Sequence, residues 1–249
     1  MLQVKNLVKH FDGVKAVDGV SFGVSRGECV ALIGPNGAGK STCFACIAGQ
    51  YKPTSGEVVW DAQALNKLTP AARLQHGVAR TFQVAQVFEA LTVHQNVQLA
   101  VQAPHGRKAI SAFKQLATQS RDAAFALLEK TGLATLAERG VLSLPYGAKK
   151  RLELALALAG NPGLLLLDEP AAGLAEHERA HLRELVRSLA TQGMAVLYTE
   201  HNMDAVAGVA SRVLVLIEGT LAAQGSFEDI SRHPVVRKRY LGEALAHGA

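Results

Sequence analysis

Apolar and polar positions alternate along the first third of the chain, where LQVKNLV, VSFGVS and CVALIG each read as a strand ended by glycine or by charged turn residues such as SRGE. A glycine-rich loop follows CVALIG, and CFACIAG after it predicts a helix with an inward apolar stripe. GEVVW at residues 56–60 and VARTF at residues 78–82 predict two more short strands of the same core. From about Ala90 to Gly160 the spacing turns helical, in LTVHQNVQLAV, AFALLEKTG and RLELALALAG, with polar loops such as APHGRK between. Strand pattern returns in LLLLDEP and MAVLYTEH, and the amphipathic EHERAHLRELVRSLATQG between them completes a βαβ unit of a parallel sheet. The expected fold is α/β, a single domain over residues 1–249 with a core at about 1–89 and 161–249 and a helical insertion at about 90–160.

Composition fits a chain with ample material for a core, with 49% of residues apolar and 19% charged. No run approaches the roughly 18 apolar residues that a membrane span needs, and MLQVKNLVKH lacks a signal-peptide core, so a cytoplasmic chain is expected. The net charge of +5 is spread along the chain and selects no partner. Three cysteines argue against a disulfide framework. Cys43-Phe-Ala-Cys46 has the C-x-x-C redox spacing, but in the helix after the loop these cysteines read as small hydrophobes.

The loop GPNGAGKST carries the first chemistry, because Gly34, Gly39, Lys40 and Ser41 meet the spacing G-x-x-x-x-G-K-S/T. Such a loop converges backbone N–H groups on phosphate oxygens, and the helix behind it adds its positive dipole end. A nucleoside triphosphate is the expected ligand, cradled by Asn36, Gly37, Ala38, Gly39, Lys40, Ser41 and Thr42. Lys40 reaches the β- and γ-phosphates and the Ser41 hydroxyl binds Mg²⁺. The buried strand of LLLLDEP delivers two carboxylates to the C-terminal edge of the sheet, where open α/β folds bind ligands. Asp168 is expected in the Mg²⁺ shell, and Glu169, pointing the other way, as the base that polarises the attacking water.

LPYGAKKRLE at residues 144–153 precedes LLLLDEP by a helix and resembles the signature motif of ATP-binding cassette proteins, a likeness that covers nearly the whole chain. The resemblance implies the fold of a P-loop NTPase cassette: a RecA-like core, an antiparallel β subdomain and an inserted α-helical subdomain. It implies ATP as the nucleotide, Phe11 as the aromatic that stacks on adenine, Gln83 in RTFQ as the glutamine that senses Mg²⁺, and His201 in TEHN as the switch histidine. The wording of LPYG, LDEPAAGL, EHNMDAV and RYLGEA looks most like the ATPase subunits of branched-chain amino acid importers, with urea importers next. Such proteins work as dimers in which each ATP lies between one phosphate loop and the partner's signature, here Leu144, Pro145, Tyr146, Gly147 and Ala148. The implied partners are a second ATPase subunit, two membrane permeases and a periplasmic binding protein, with the chain peripheral on the cytoplasmic face of the inner membrane.

Two stretches depart from the family's pattern. The usual L-S-G-G-Q is Leu144-Pro145-Tyr146-Gly147-Ala148, so the serine hydroxyl is missing and Pro145 has no N–H to give. In AAGLAEHE, Ala175 stands where an Asp is usual. The first points to a signature that serves the partner's ATP poorly, the second to weaker communication across the dimer.

Other motifs have competing readings. His177-Glu178-Arg179-Ala180-His181 has the H-E-x-x-H zinc spacing, without an evident third ligand and on an ordinary amphipathic helix. Lys149-Lys150-Arg151 admits a nucleic-acid reading against one in which it flanks the signature helix, and aromatic interleaving is absent. A soluble cassette ATPase acting on nucleic acid or the ribosome is the alternative class, and no nucleic acid is expected because such proteins usually carry two cassettes or a long coiled coil. A small-molecule kinase would share the phosphate loop but not LPYG, Gln83 and His201.

Overall fold

The computed structural model describes residues 1–81, 87–103, 113–201 and 206–241. Strand β1 (Leu2–Phe11) turns back into β2 (Val14–Val24) through Asp12 and Gly13, both left-handed, the geometry that matches the twist of a hairpin. β1 also pairs antiparallel with β4 (Ser55–Trp60), and β4 with β5 (Gln63–Ala64), giving a sheet in the order β2-β1-β4-β5.

The second sheet has the order β10-β9-β3-β8-β7-β6. β3 (Cys29–Ile33), β6 (Val78–Arg80), β7 (Leu164–Asp168), β8 (Ala195–Thr199) and β9 (Arg212–Ile217) run parallel, and β10 (Thr220–Gly225) closes the edge antiparallel to β9. β7 explains its own sequence: Leu164 and Leu166 enter the core shared with the antiparallel sheet, while Leu165 and Leu167 face the core under the helices. A strand buried on both faces has no polar alternation to show.

Helix α1 (Lys40–Ala48) lies between the two sheets, packed from both sides. The inward stripe expected of CFACIAG is therefore absent, because Cys43, Phe44, Ala45, Cys46, Ile47 and Ala48 are all buried. α2 (Pro70–Gln75) leads into β6, which stops at Arg80, short of the strand expected through residue 82. Arg80 is the last rung of the ladder, paired with Leu166, and its guanidinium reaches Asp168. α3 (Val93–Gln102), α4 (Phe113–Lys130) and α5 (Tyr146–Leu158) surround a separate core of Val93, Val97, Leu128, Leu133, Leu152 and Ala155. α6 (Glu176–Thr191) covers the parallel sheet through Leu185, Val186 and Leu189. α7 (Phe227–Arg232), a turn at Pro234–Val236 and a π-helical turn at Arg237–Leu241 follow the last strand.

The hairpin β9–β10 has no counterpart in the sequence reading. Its signal is VLVLI followed by Glu218-Gly219, both left-handed in the structure, a turn of the same kind as Asp12-Gly13. This hairpin bears on the phosphate loop, since Gly219 N donates to the Ala38 carbonyl at 3.1 Å. Among the described residues no helix is long and apolar enough to cross a membrane.

Candidate functional site

The loop between β3 and α1 is shaped by contact. Gly34, Gly37 and Gly39 have φ of 149°, 77° and 95°, where side chains are strained. A Cβ on Gly39 would sit 2.1 Å from the Ala16 carbonyl oxygen, so the approach of β2 also demands glycine there. α1 begins with no side-chain cap and no acidic residue in its first turn, leaving its N–H groups open to an anion. Lys40 is buried, and its Nζ donates to the Gly34 and Pro35 carbonyls at 2.7 and 2.9 Å. Burial lowers the pKa of its ammonium, and the nearby Glu169 and Asp168 carboxylates pull the other way. Asn36, Gly37 and Ser41 are exposed at the loop surface, Thr42 is half-buried and Ala38 is buried.

At the end of β7 the Asp168 carboxylate accepts from Thr199 Oγ1 at 2.7 Å and from Arg80 Nη2 at 2.7 Å. Glu169 does not simply alternate with it, as a strand would require. Its φ is 47°, so the chain leaves the strand in a strained left-handed turn, and Glu169 N donates to Thr199 Oγ1 at 3.0 Å. One buried hydroxyl thus positions both carboxylate residues. His201, just past β8, brings Nε2 into hydrogen-bond contact with Glu169 Oε1. Glu200, next to His201 in the chain, accepts from Ala171 N at 3.2 Å, and burial raises its carboxyl to about 7 despite that bond and one from His201 N. Asp168 and the Ser41 hydroxyl are oxygen donors of the kind a Mg²⁺ ion takes, so the donor set fits that ion. Gln83 lies outside the described residues.

Phe11, at the end of β1, packs edge-on against Tyr51 with ring centroids 5.2 Å apart, and Lys9 Nζ lies 4.7 Å from the Phe11 centroid. Both rings are partly exposed, leaving aromatic surface for a base. Leu144 and Pro145 lead into α5, with Pro145 at its N-cap and Tyr146 exposed. Gly147 packs under the Glu178 carboxylate of α6, which a Cβ there would displace. Among the described residues no hydrogen bond joins Leu144–Ala148 to Lys40, Asp168 or Glu169.

Thr199, Arg80, Glu200 and Tyr51 were not singled out from sequence, since each acts through a neighbour that only the fold supplies. Cys43 and Cys46 are buried, and burial pushes the Cys46 thiol up to about 11, away from the thiolate that redox exchange uses. In the basic triplet, Lys150 is buried beside Glu153 and Arg151 Nη1 donates to the Gly132 carbonyl, so it is not a solvated patch. In the H-E-x-x-H stretch Glu178 accepts from Ala175 N at 3.1 Å and serves the start of α6.

The profile of the family described as "ABC transporter" matches residues 17–172. The chain is 39% identical to the high-affinity branched-chain amino acid transport ATP-binding protein LivG of Salmonella typhimurium, over 98% of both chains. It is 34% identical to the lipopolysaccharide export system ATP-binding protein LptB of Escherichia coli, over 97% of both. Among solved structures it is similar to a nucleotide-free ATP-binding cassette from an ABC transporter, with a TM-score of 0.84 and 30% identity over 96% of this chain and 98% of that one. It is also similar to a dimeric cassette bound to ADP and Pi, with a TM-score of 0.79 and 27% identity over 91% and 99%. With its phosphate loop, paired carboxylates and full-length likeness, the chain belongs to the ABC transporter ATP-binding family, whose cassettes are ATPases.

Proposed function

We propose that this chain is the energy-coupling ATPase of a membrane importer of branched-chain amino acids, a single cassette over residues 1–249 with a helical subdomain at about 90–160. The observation that carries the hydrolytic part is the contact of His201 with Glu169, one residue past Asp168 and within electrostatic reach of Lys40. In this reading Phe11 stacks on adenine, while Asn36, Gly37, Ala38, Gly39, Lys40, Ser41 and Thr42 cradle the phosphates. Lys40 exchanges its two loop carbonyls for the β- and γ-phosphates. Ser41, Asp168 and Gln83 hold Mg²⁺, which neutralises phosphate charge when bound. Glu169 takes the proton of the attacking water, and His201 holds Glu169 in place.

Transport requires partners. Leu144, Pro145, Tyr146, Gly147 and Ala148 face the ATP of a second ATPase subunit, and closure of that dimer converts binding energy into movement. Two permeases receive the movement, and a periplasmic binding protein delivers the solute. The chain then lies on the cytoplasmic face of the inner membrane. The permease contact is read on VAQVFEALTV at residues 84–93, of which 84–86 lie outside the described residues, and its support is the exposed ring of Phe88. Because Pro145 has no N–H and the signature lacks a serine, the partner's ATP turns over more slowly in a heterodimer. Equal losses from the two single catalytic-glutamate mutants would overturn that asymmetry.

Purification of the tagged chain from gently solubilised membranes, with mass spectrometry and an ATPase assay of the product, tests the whole reading. Two multispanning permeases and a second cassette support it, and their binding protein is then screened with amino acids and urea. Recovery with export components would favour the direction of the lipopolysaccharide relative. Recovery with RNA or ribosomal proteins and no permease would leave an ATPase of another class.

A further inference from the structure

The chain's last described turn reaches back to the catalytic edge. Tyr240 sits in the π-helical Arg237–Leu241, a local widening that often marks functional positions. Its side chain is buried, and with Val236 and Ile230 it joins the core built on Tyr198, Val213 and Val215. The Tyr240 hydroxyl donates to the backbone carbonyl of His201 at 2.6 Å.

That bond adds to the one that the His201 N–H gives the Glu200 carboxylate, at a residue past the end of its strand. The β8 ladder ends at Thr199, so His201 has no strand partner, and its side chain is 43% exposed, too open for packing to fix it. Its imidazole nevertheless meets Glu169 Oε1. Burial, with the Glu200 carboxylate nearby, pushes the Tyr240 phenol up to about 12, which keeps it a donor through the neutral range.

We propose that Tyr240 is a positioning residue for ATP hydrolysis, its hydroxyl anchoring the His201 backbone and so holding the imidazole against Glu169. The inference rests on the reading that Glu169 and His201 serve hydrolysis. Tyr240 touches no phosphate and acts only through His201.

The test compares Tyr240→Phe, which removes one oxygen, with Val236→Ala, which loosens the same turn and leaves the hydroxyl. Both are made in the full chain within its native assembly, beside Glu169→Gln and His201→Ala, with kcat, KM for ATP, nucleotide affinity and Tm measured for each. Tyr240→Phe is expected to lower kcat about five- to tenfold, the loss of one hydrogen bond, with KM and affinity unchanged. Val236→Ala is expected to lower Tm with kcat near that of the unmodified chain. A Tyr240→Phe kcat equal to that of the unmodified chain, while Glu169→Gln and His201→Ala are inactive, overturns the inference and leaves the site reading intact. Equal kcat losses in Tyr240→Phe and Val236→Ala at equal Tm also overturn it, since packing of the turn would then explain both. Normal turnover in Glu169→Gln and His201→Ala overturns the site reading itself.

Discussion

The guanidinium of Arg80 lies 2.7 Å from Asp168 Oδ2, with both side chains almost buried. Thr199 holds the other oxygen of the same carboxylate, so its orientation is set by the protein from both sides. The pair joins β6 to β7 at the catalytic edge and depends on a partner 88 positions away in sequence.

Removing one member should leave the other charge stranded. Arg80→Ala is expected to destabilise the chain by about 3–5 kcal/mol, the usual cost of breaking a buried ion pair from one side. Chemical denaturation of the two proteins measures it, and an unchanged midpoint would mean that water already screens Asp168.

On the proposed reading, Glu169→Gln keeps the turn and removes the general base. Hydrolysis should fall by about 10²- to 10⁴-fold while nucleotide binding persists and a long-lived ATP-bound dimer accumulates. Lys40→Ala should do the reverse and weaken binding itself. Turnover kinetics, nucleotide titration and size-exclusion chromatography separate the two, and normal turnover in Glu169→Gln would remove that residue from its role.

Glu200 makes stability depend on pH. Its folded carboxyl is raised to about 7 from an ordinary 4.5, so the folded chain holds a proton that the unfolded chain releases. Stability from this group is complete below about 4.5 and is lost as pH rises through about 7, by at most about 3 kcal/mol. Glu200→Gln should gain on the unmodified chain in denaturant midpoint between pH 5 and pH 8. A gap that stays constant with pH would show that Glu200 titrates normally.

Ala175 is the N-cap of α6 and offers the helix no side-chain acceptor. Ala175→Asp should supply one to the open N–H groups and raise stability by about 0.5–2 kcal/mol. Thermal unfolding reads the change, and a lowered Tm would mean that the added charge conflicts with Glu176 and Glu178 in the same turn.

The phosphate loop and the carboxylate pair were legible in the sequence because each is local: a strand, a few residues of fixed spacing and a helix. Lys40 opens α1 and Asp168 ends β7 as that reading had it, whereas Glu169 leaves the strand in a left-handed turn, and alternation in the first strands with apolar runs in the later ones brought out most of both sheets. The hairpin at Arg212–Gly225 was legible too, in an apolar run ended by Glu218-Gly219, and went unread.

What the sequence by itself determined is the set of local instructions: periodicity names strands and helices, and glycine spacing builds a loop with its N–H groups turned inward. Only the tertiary structure decided that Thr199 serves Asp168 and Glu169 together, that Arg80 at the end of β6 meets Asp168, that Tyr51 backs Phe11, and that Tyr240 reaches His201. These are contacts between elements far apart along the chain. Periodicity describes which face of an element is buried, whereas the neighbour found there depends on how strands order in the sheet and where the final turn docks.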